Sequence, residues 1–272
     1  MDEVMITVAA VGAELSKGEH SGLPATVEEL VVDAVRCRDA GAAIYHLHVR
    51  DDDGSPTMDV ATFERARDAI RRHTDLIVQF TTGGAISDPE VARLAPLELR
   101  PEMATLTTGS VNFADEVFVN RLPFVRSLYE RMLSLGVLPG YEIFDSGMIA
   151  TADRLYEELG AEHHRHFDFV LGVPGGMPAW PDSVSFLRAK LTRDSTWSAT
   201  GIGRAHVGVA RAALEAGGHV RTGLEDVTYI EAGVRASSNA QLIERVVHMA
   251  HEVGREVASP DDARRMLGLV AR

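Results

Sequence analysis

Eight times along this chain a short apolar run gives way to a stretch with helical spacing. That alternation restricts the fold more than any other feature. Strands that each return through a helix pair in parallel, and a parallel sheet needs helices to cover its faces. The runs are Val4–Val11, Ala43–Val49, Leu76–Thr81, Met103–Thr107, Leu138–Phe144, Phe167–Val173, Ser195–Thr200 and His219–Leu224. Helices are expected between them at Thr26–Asp39, Asp59–His73, Pro89–Leu94, Asp115–Leu135, Met148–Leu159, Ser183–Leu191 and Arg204–Glu215, with Asn239–Glu252 and Asp261–Leu267 closing the chain. The first opens on a Thr26–Val27–Glu28–Glu29 capping pattern and stops before Gly41. Eight such units in 272 residues predict an α/β fold, a (β/α)8 TIM barrel forming a single domain over 1–272. A doubly wound open sheet is the alternative, but no Gly-x-Gly-x-x-Gly turn opens a helix after the first strand.

In such a barrel the chemistry sits at the C-terminal ends of the strands. The second run, Ala43–Val49, is apolar except for His46 and His48. Alternation puts both imidazoles on one face near the strand's end, with Arg50 next in the row. A catalytic zinc takes three protein ligands and keeps a fourth position open. The third candidate is in GGHVRTGLEDVTY, where Arg221, Gly223 and Glu225 share a face. Closure makes strand eight a neighbour of strand one, so strands two and eight stand about 10 Å apart, within joint reach of a histidine and a glutamate. His46, His48 and Glu225 therefore form a candidate His2Glu site, a donor set that suits Zn2+ and also Co2+, Ni2+ or Fe2+. Asp226 faces differently and is placed as a base or as the partner of Arg221, which needs a carboxylate or an anionic ligand if buried.

Other groups sort by the same rule. Glu14 and His20 follow strand one on the active side. The segments QFTTGGA, ATLTTGSVNF and VLGVPGGMPAW end strands with glycines and hydroxyls that suit a carboxylate or phosphate. The GIGR segment is the best phosphate candidate, because Gly203 and Arg204 lie at a helix N-terminus. His163, His164 and His166 precede strand six at the opposite end and are expected to be solvated surface. His73, His206, His248 and His251 fall on helices, as surface or packing residues.

The net charge of −13 argues against nucleic acid or an anionic membrane as partner. No run approaches the length of a membrane span, and the N-terminus lacks a basic segment before its apolar run. Cys37 is the single cysteine, so no disulfide framework forms and a cytoplasmic setting is expected.

The ordered set ITVAAVGAE, YHLHVRDDDG, TTGGA, TLTTGSVNF, YEIFDSGM, VLGVPGGMPA, GIGR and GGHVRTGLED spans nearly the whole chain. It resembles the β-keto acid cleavage enzymes. The resemblance implies one Zn2+, usually a homotetramer, and a reaction of a β-keto acid with acetyl-CoA that yields acetoacetate and a new acyl-CoA. It implies His46, His48 and Glu225 as zinc ligands, Asp226 as general base, Arg221 as its partner and Glu14 as the acid after strand one. It also implies a hydroxyl near the substrate carboxylate, Thr82 being favoured over Thr81, and one from strand four among Thr105, Thr107 and Thr108, with Thr105 put forward. Glu142 matches an acidic position of members that accept cationic substrates, so a cationic β-keto acid such as 5-amino-3-oxohexanoate or dehydrocarnitine is expected. Gly203 and Arg204 then become candidates for CoA. The rival readings are a metal-dependent hydrolase, which would want histidines on strands five and six, an aldolase that turns over without CoA, and a non-catalytic metal-binding barrel.

Overall fold

Each apolar run contributes a strand, and the strands close on themselves. The computed structural model describes residues 3–113, 115–191 and 194–270. Strands β1 (Ile6–Ala9), β2 (Ile44–Leu47), β3 (Ile77–Phe80), β4 (Met103–Thr107), β5 (Leu138–Ile143), β6 (His166–Leu171), β7 (Thr196–Gly201) and β8 (His219–Thr222) pair in parallel in chain order, and β1 pairs with both β2 and β8. The result is the expected (β/α)8 barrel. Around it lie α1 (Val27–Ala40), α2 (Val60–His73), α3 (Glu90–Leu94), α4 (Leu122–Leu135), α5 (Ser146–Glu158), α6 (Ser183–Arg188), α7 (His206–Glu215), α8 (Asn239–Glu252) and α9 (Pro260–Leu267). The capping box of α1 is present: the Thr26 side chain accepts from the Glu29 N–H, and Gly41 ends the helix at φ 114°.

The barrel interior changes character along its axis. At the N-terminal end Met5, Ile44, Ile77, Met103 and Leu138 form an apolar plug, capped from outside by Ala263 and Leu267 of α9. Arg264 of α9 is fully buried there, held by Glu102 and the carbonyls of Asp75 and Leu76. At the other end the inward positions are polar: His46, Glu142, Asp168, Thr200 and Arg221 are all buried or nearly so. Apolar packing thus stabilises one end and leaves the other for chemistry.

Three expectations need correction. The helix expected from Asp115 begins at Leu122, because Val111–Phe113 pairs antiparallel with Glu116–Phe118. Buried Arg93 ties down the end of this hairpin by donating to the Val119 carbonyl (3.0 Å) and Asn120 Oδ1 (2.5 Å), and it sits 4.9 Å from the Phe118 ring. The second run breaks after Leu47, and Val49–Arg50 pairs instead with Pro56–Thr57. The 163–166 histidines are not a freely solvated surface group, for His163 and His164 are half-buried and hydrogen-bonded. His166 is the first residue of β6 and is buried, His163 Nε2 meets the Tyr129 hydroxyl at 2.8 Å, and His164 Nε2 meets Thr196 Oγ1 at 3.0 Å.

Candidate metal and active site

His46 and His48 come together with Glu225 at the C-terminal mouth. One donor atom from each lies within 4.8 Å of the others, the only such group of three among the described residues. His46 Nε2 is 3.7 Å from Glu225 Oε1, and His48 Nε2 is 3.7 Å from Glu225 Oε2. Donor atoms on one tetrahedral cation stand a little over 3 Å apart, so these His–Glu separations suit a shared cation. Burial holds both imidazoles below the ordinary histidine range, His46 at about 3, so they are neutral and able to ligate. Glu225 Oε2 is buried without a hydrogen-bond partner. A carboxylate oxygen left bare beside two neutral imidazoles fits a cation site.

The surroundings fix these ligands. Gln79, on β3 opposite His46 in the ladder, places Oε1 3.0 Å from His46 Nδ1. An amide oxygen only accepts, so the ring proton sits on Nδ1 and the Nε2 lone pair faces Glu225. Two glycines admit the Glu225 side chain and its strand. A Cβ on Gly12 (φ 63°) would meet Glu225 Cγ at 2.6 Å, and one on Gly223 would lie 1.9 Å from the Ala9 carbonyl oxygen.

Arg221 organises the acids beside the ligands. Its Nε and Nη2 donate to the two oxygens of Asp226 at 3.1 and 2.9 Å, and Nη2 also donates to Glu225 Oε1 at 2.5 Å. Nη1 donates to Glu142 Oε1 at 3.2 Å and stands 3.9 Å from Asp168 Oδ2. Burial would raise Glu225, but the charge and hydrogen bond of Arg221 outweigh it and hold that carboxyl low. Burial dominates for Asp226 and raises it despite Arg221, with the Glu225 charge adding to the rise. Glu142 and Asp168 are likewise raised by burial.

The remaining candidates divide. A cavity of about 270 Å³ above the ligands is lined by Glu14, Thr81, Glu142, Arg221 and Asp226, with an apolar wall that includes Phe113, Phe118, Phe144 and Val173. Thr81 lines it, whereas the favoured Thr82 donates its hydroxyl to the Thr105 carbonyl at 2.7 Å and is not part of the lining. Thr105 lies lower, in a small polar void with Gln79, Asp168 and Arg221. Glu142 has one oxygen on the Thr107 hydroxyl (2.6 Å) and the other on Arg221, so both are engaged. Glu14 is exposed at the rim. Arg50 leaves the histidine row and donates to the carbonyls of Gly12 (2.8 Å) and Leu15 (2.7 Å), lacing down the loop that carries Glu14. His20 is held by the Ala236 carbonyl at 2.9 Å and lines neither this cavity nor the groove beside it. That groove, of about 930 Å³, extends from Glu225 and Asp226 past Gly203 and Arg204.

Gln79 and Asp168 were not anticipated. Asp168 accepts from Ser198 (2.8 Å) and Thr200 (2.9 Å), and an acid inside the run FDFVL was its available signal. Gln79 carries no signal until the β2–β3 register is known. The histidines at the strand-six end lie at the wrong end of the barrel for the hydrolase reading.

A family profile described as beta-keto acid cleavage enzyme matches residues 3–269. The 3-keto-5-aminohexanoate cleavage enzyme of Fusobacterium nucleatum subsp. nucleatum is 44% identical over 271 residues, covering 99% of each chain. The enzyme of that name from Acetoanaerobium sticklandii is 43% identical, again over 99% of each chain. The 3-oxoadipate:acetyl-CoA acetyltransferase of Cupriavidus necator is 38% identical, covering 97% of this chain and 94% of that one. Among solved structures, apo ObcA superposes with a TM-score of 0.79 at 19% identity, over 91% of this chain and 66% of the other, a likeness of fold alone. No helix among the described residues is long and apolar enough to cross a membrane.

Proposed function

Because the chain belongs to the β-keto acid cleavage enzyme family, we propose that it transfers the acyl group of a β-keto acid to CoA, consuming acetyl-CoA and releasing acetoacetate, with a divalent cation, Zn2+, held by His46, His48 and Glu225. The observation that carries this reading is the bare Glu225 oxygen facing two neutral imidazoles, with an Arg221-held carboxylate alongside. Bound there, the cation would supply Lewis acidity toward the β-keto carbonyl and balance the charge of an enolate.

The chain's own residues supply the rest. Asp226 takes the C2 proton of the β-keto acid, and burial makes its carboxylate a stronger base than an exposed one. Both of its oxygens are held by Arg221, which orients it toward the cavity and limits the rise in its pKa. The new carbanion attacks the thioester carbon of acetyl-CoA and displaces CoA thiolate. The thiolate then attacks the original keto carbon, the C2–C3 bond breaks to release the new acyl-CoA, and the acetoacetate carbanion takes back the proton held by Asp226 to give acetoacetate. Thr81 is the hydroxyl we assign to the substrate, a reading supported by its place in the cavity lining, which lacks Thr82 and Thr105. Of the two acids Glu14 and Glu142 at the cavity, Glu14 alone keeps an exposed carboxylate at the rim, and a cationic substituent there is the substrate reading it supports. The groove beside Asp226 supports CoA entry past Gly203 and Arg204. A cytoplasmic homotetramer remains the expected form, and light scattering tests the assembly.

The deciding experiment joins metal analysis of the purified protein to an acetyl-CoA-dependent acetoacetate assay, with and without chelator, over cationic, neutral and anionic β-keto acids. Bound metal and chelator-sensitive turnover are expected. Turnover untouched by metal removal overturns the mechanism, and preference for an anionic substrate overturns the role of Glu14.

A further inference from the structure

Behind the metal ligands, on the outer side of the barrel wall, a buried polar network joins the strands that carry them. Asn239, the first residue of α8, is fully buried. Its Oδ1 accepts the Leu224 N–H at 2.8 Å, and its Nδ2 donates to the Ala10 carbonyl at 3.1 Å and to the Asp33 carboxylate at 3.1 Å. Asp33, on α1, also accepts the hydroxyl of Tyr45 at 2.9 Å. Tyr45 precedes His46, Leu224 precedes Glu225, and Ala10 directly follows the strand that runs between them.

We propose that Asn239 and Asp33 are positioning residues for the cation site, setting the spacing of β8 and β2 across β1 and so the distance of Glu225 from His46 and His48. This rests on the metal reading above. The sheet itself does not set that spacing. The β1–β8 ladder ends at Val8–Thr222 and the β1–β2 ladder at Ala9–His46, so Leu224 and Glu225 lie beyond the last paired residues. Past that point the ties between the chain and β1 include the Glu225 N–H bond to the Ala9 carbonyl (3.2 Å) and the Asn239 amide. An amide suits the place because it must accept on one side and donate on the other. A carboxylate at 239 would turn an oxygen toward Ala10 O and Asp33, and an apolar residue would strand three buried polar groups. Capping α8 does not explain Asn239, since Ser238 already caps it by accepting from the Gln241 N–H.

The test measures Co2+ affinity by chelator competition and the visible spectrum of bound Co2+, with a thermal melt as the control for folding. Asn239→Ala should weaken Co2+ binding about tenfold or more and change the spectrum, as loss of outer support does at metal sites. Tyr45→Phe removes only the β2 leg and should weaken binding about threefold. A folded Asn239→Ala protein with a lowered melting point but wild-type affinity and spectrum leaves a packing role only and overturns the proposal. Should Asn239→Ala fail to fold, Tyr45→Phe decides, and unchanged affinity and spectrum overturn it. Wild-type protein that takes up no Co2+ defeats the metal reading and the clamp with it. Normal wild-type uptake with unaffected variants defeats the clamp alone.

Discussion

Replacing Gln79 by methionine should loosen the cation site without touching a ligand. The wild-type amide oxygen stands 3.0 Å from His46 Nδ1 in a buried setting and assigns the ring proton to that nitrogen. Methionine keeps the volume but removes the acceptor. Burial holds His46 neutral, so the ring carries one proton in either case. Freed from Gln79, that proton can move to Nε2, where it points toward Glu225 Oε1 and blocks the lone pair a cation needs. Loss of such a partner weakens metal binding about 10–100-fold, equivalent to about 1.4–2.8 kcal/mol. Chelator competition with Zn2+ or Co2+ measures this directly, and Gln79→Glu, which retains an acceptor, should keep the affinity. A Gln79→Met protein with the wild-type dissociation constant would refute the assignment of the Nδ1 proton and the support it implies.

Asp226→Asn should retain the metal and lose about 10²–10⁴-fold in kcat, as expected of a lost general base; undiminished turnover would remove Asp226 from proton transfer. Gly12→Ala should lower metal affinity and stability together, since the added Cβ falls 2.6 Å from Glu225 Cγ at a backbone φ of 63°; metal titration and melting check both. Asp33 gives a pH signature. Burial raises its carboxyl to about 6, above the unfolded value of about 3.9, so its contribution favours the fold below the unfolded pKa and is lost as pH rises through 6. Relative to Asp33→Asn, the wild type should therefore lose about 2.4 kcal/mol between pH 4 and 8, read from denaturant melts across that range. A constant difference between the two proteins would show that Asp33 titrates normally.

How much of this was legible in the sequence depended on distance along the chain. His46 and His48 alternate within one run, and Glu225 follows from closure of the barrel, so the meeting of these three side chains could be read from the sequence. The helix expected from Asp115 failed because the contacts that hold the hairpin end come from Arg93, far away in sequence. Thr81 and Thr82 are adjacent, and the strand ends at Phe80, so simple alternation cannot say which of them faces in. Glu142 was recognised as a site acid, but the engagement of both its oxygens by Thr107 and Arg221 depends on three separate strands. The 163–166 histidines, half-buried at 163 and 164 and buried at 166, owe their setting to Tyr129, Tyr156 and Thr196, none of them local in sequence to the whole cluster.

One consequence concerns the balance of charge at the mouth. Glu142, Asp168, Glu225 and Asp226 surround a single guanidinium, and the nearby imidazoles are neutral. Buried carboxylates without a matching cation destabilise a fold unless they take up protons. The rise of Glu142, Asp168 and Asp226 on burial is that response. A divalent cation between His46, His48 and Glu225 would relieve the same repulsion and would bind only the folded chain, because the three side chains come from the end of β2 and from the segment after β8. Linkage then fixes the size of the effect: at a free cation concentration one hundred times the dissociation constant, the fold gains about 2.7 kcal/mol. Thermal melts with Zn2+ and with chelator should differ accordingly, and the difference should vanish in Glu225→Gln. A melting point indifferent to Zn2+ in the wild type would mean that protons alone balance these acids.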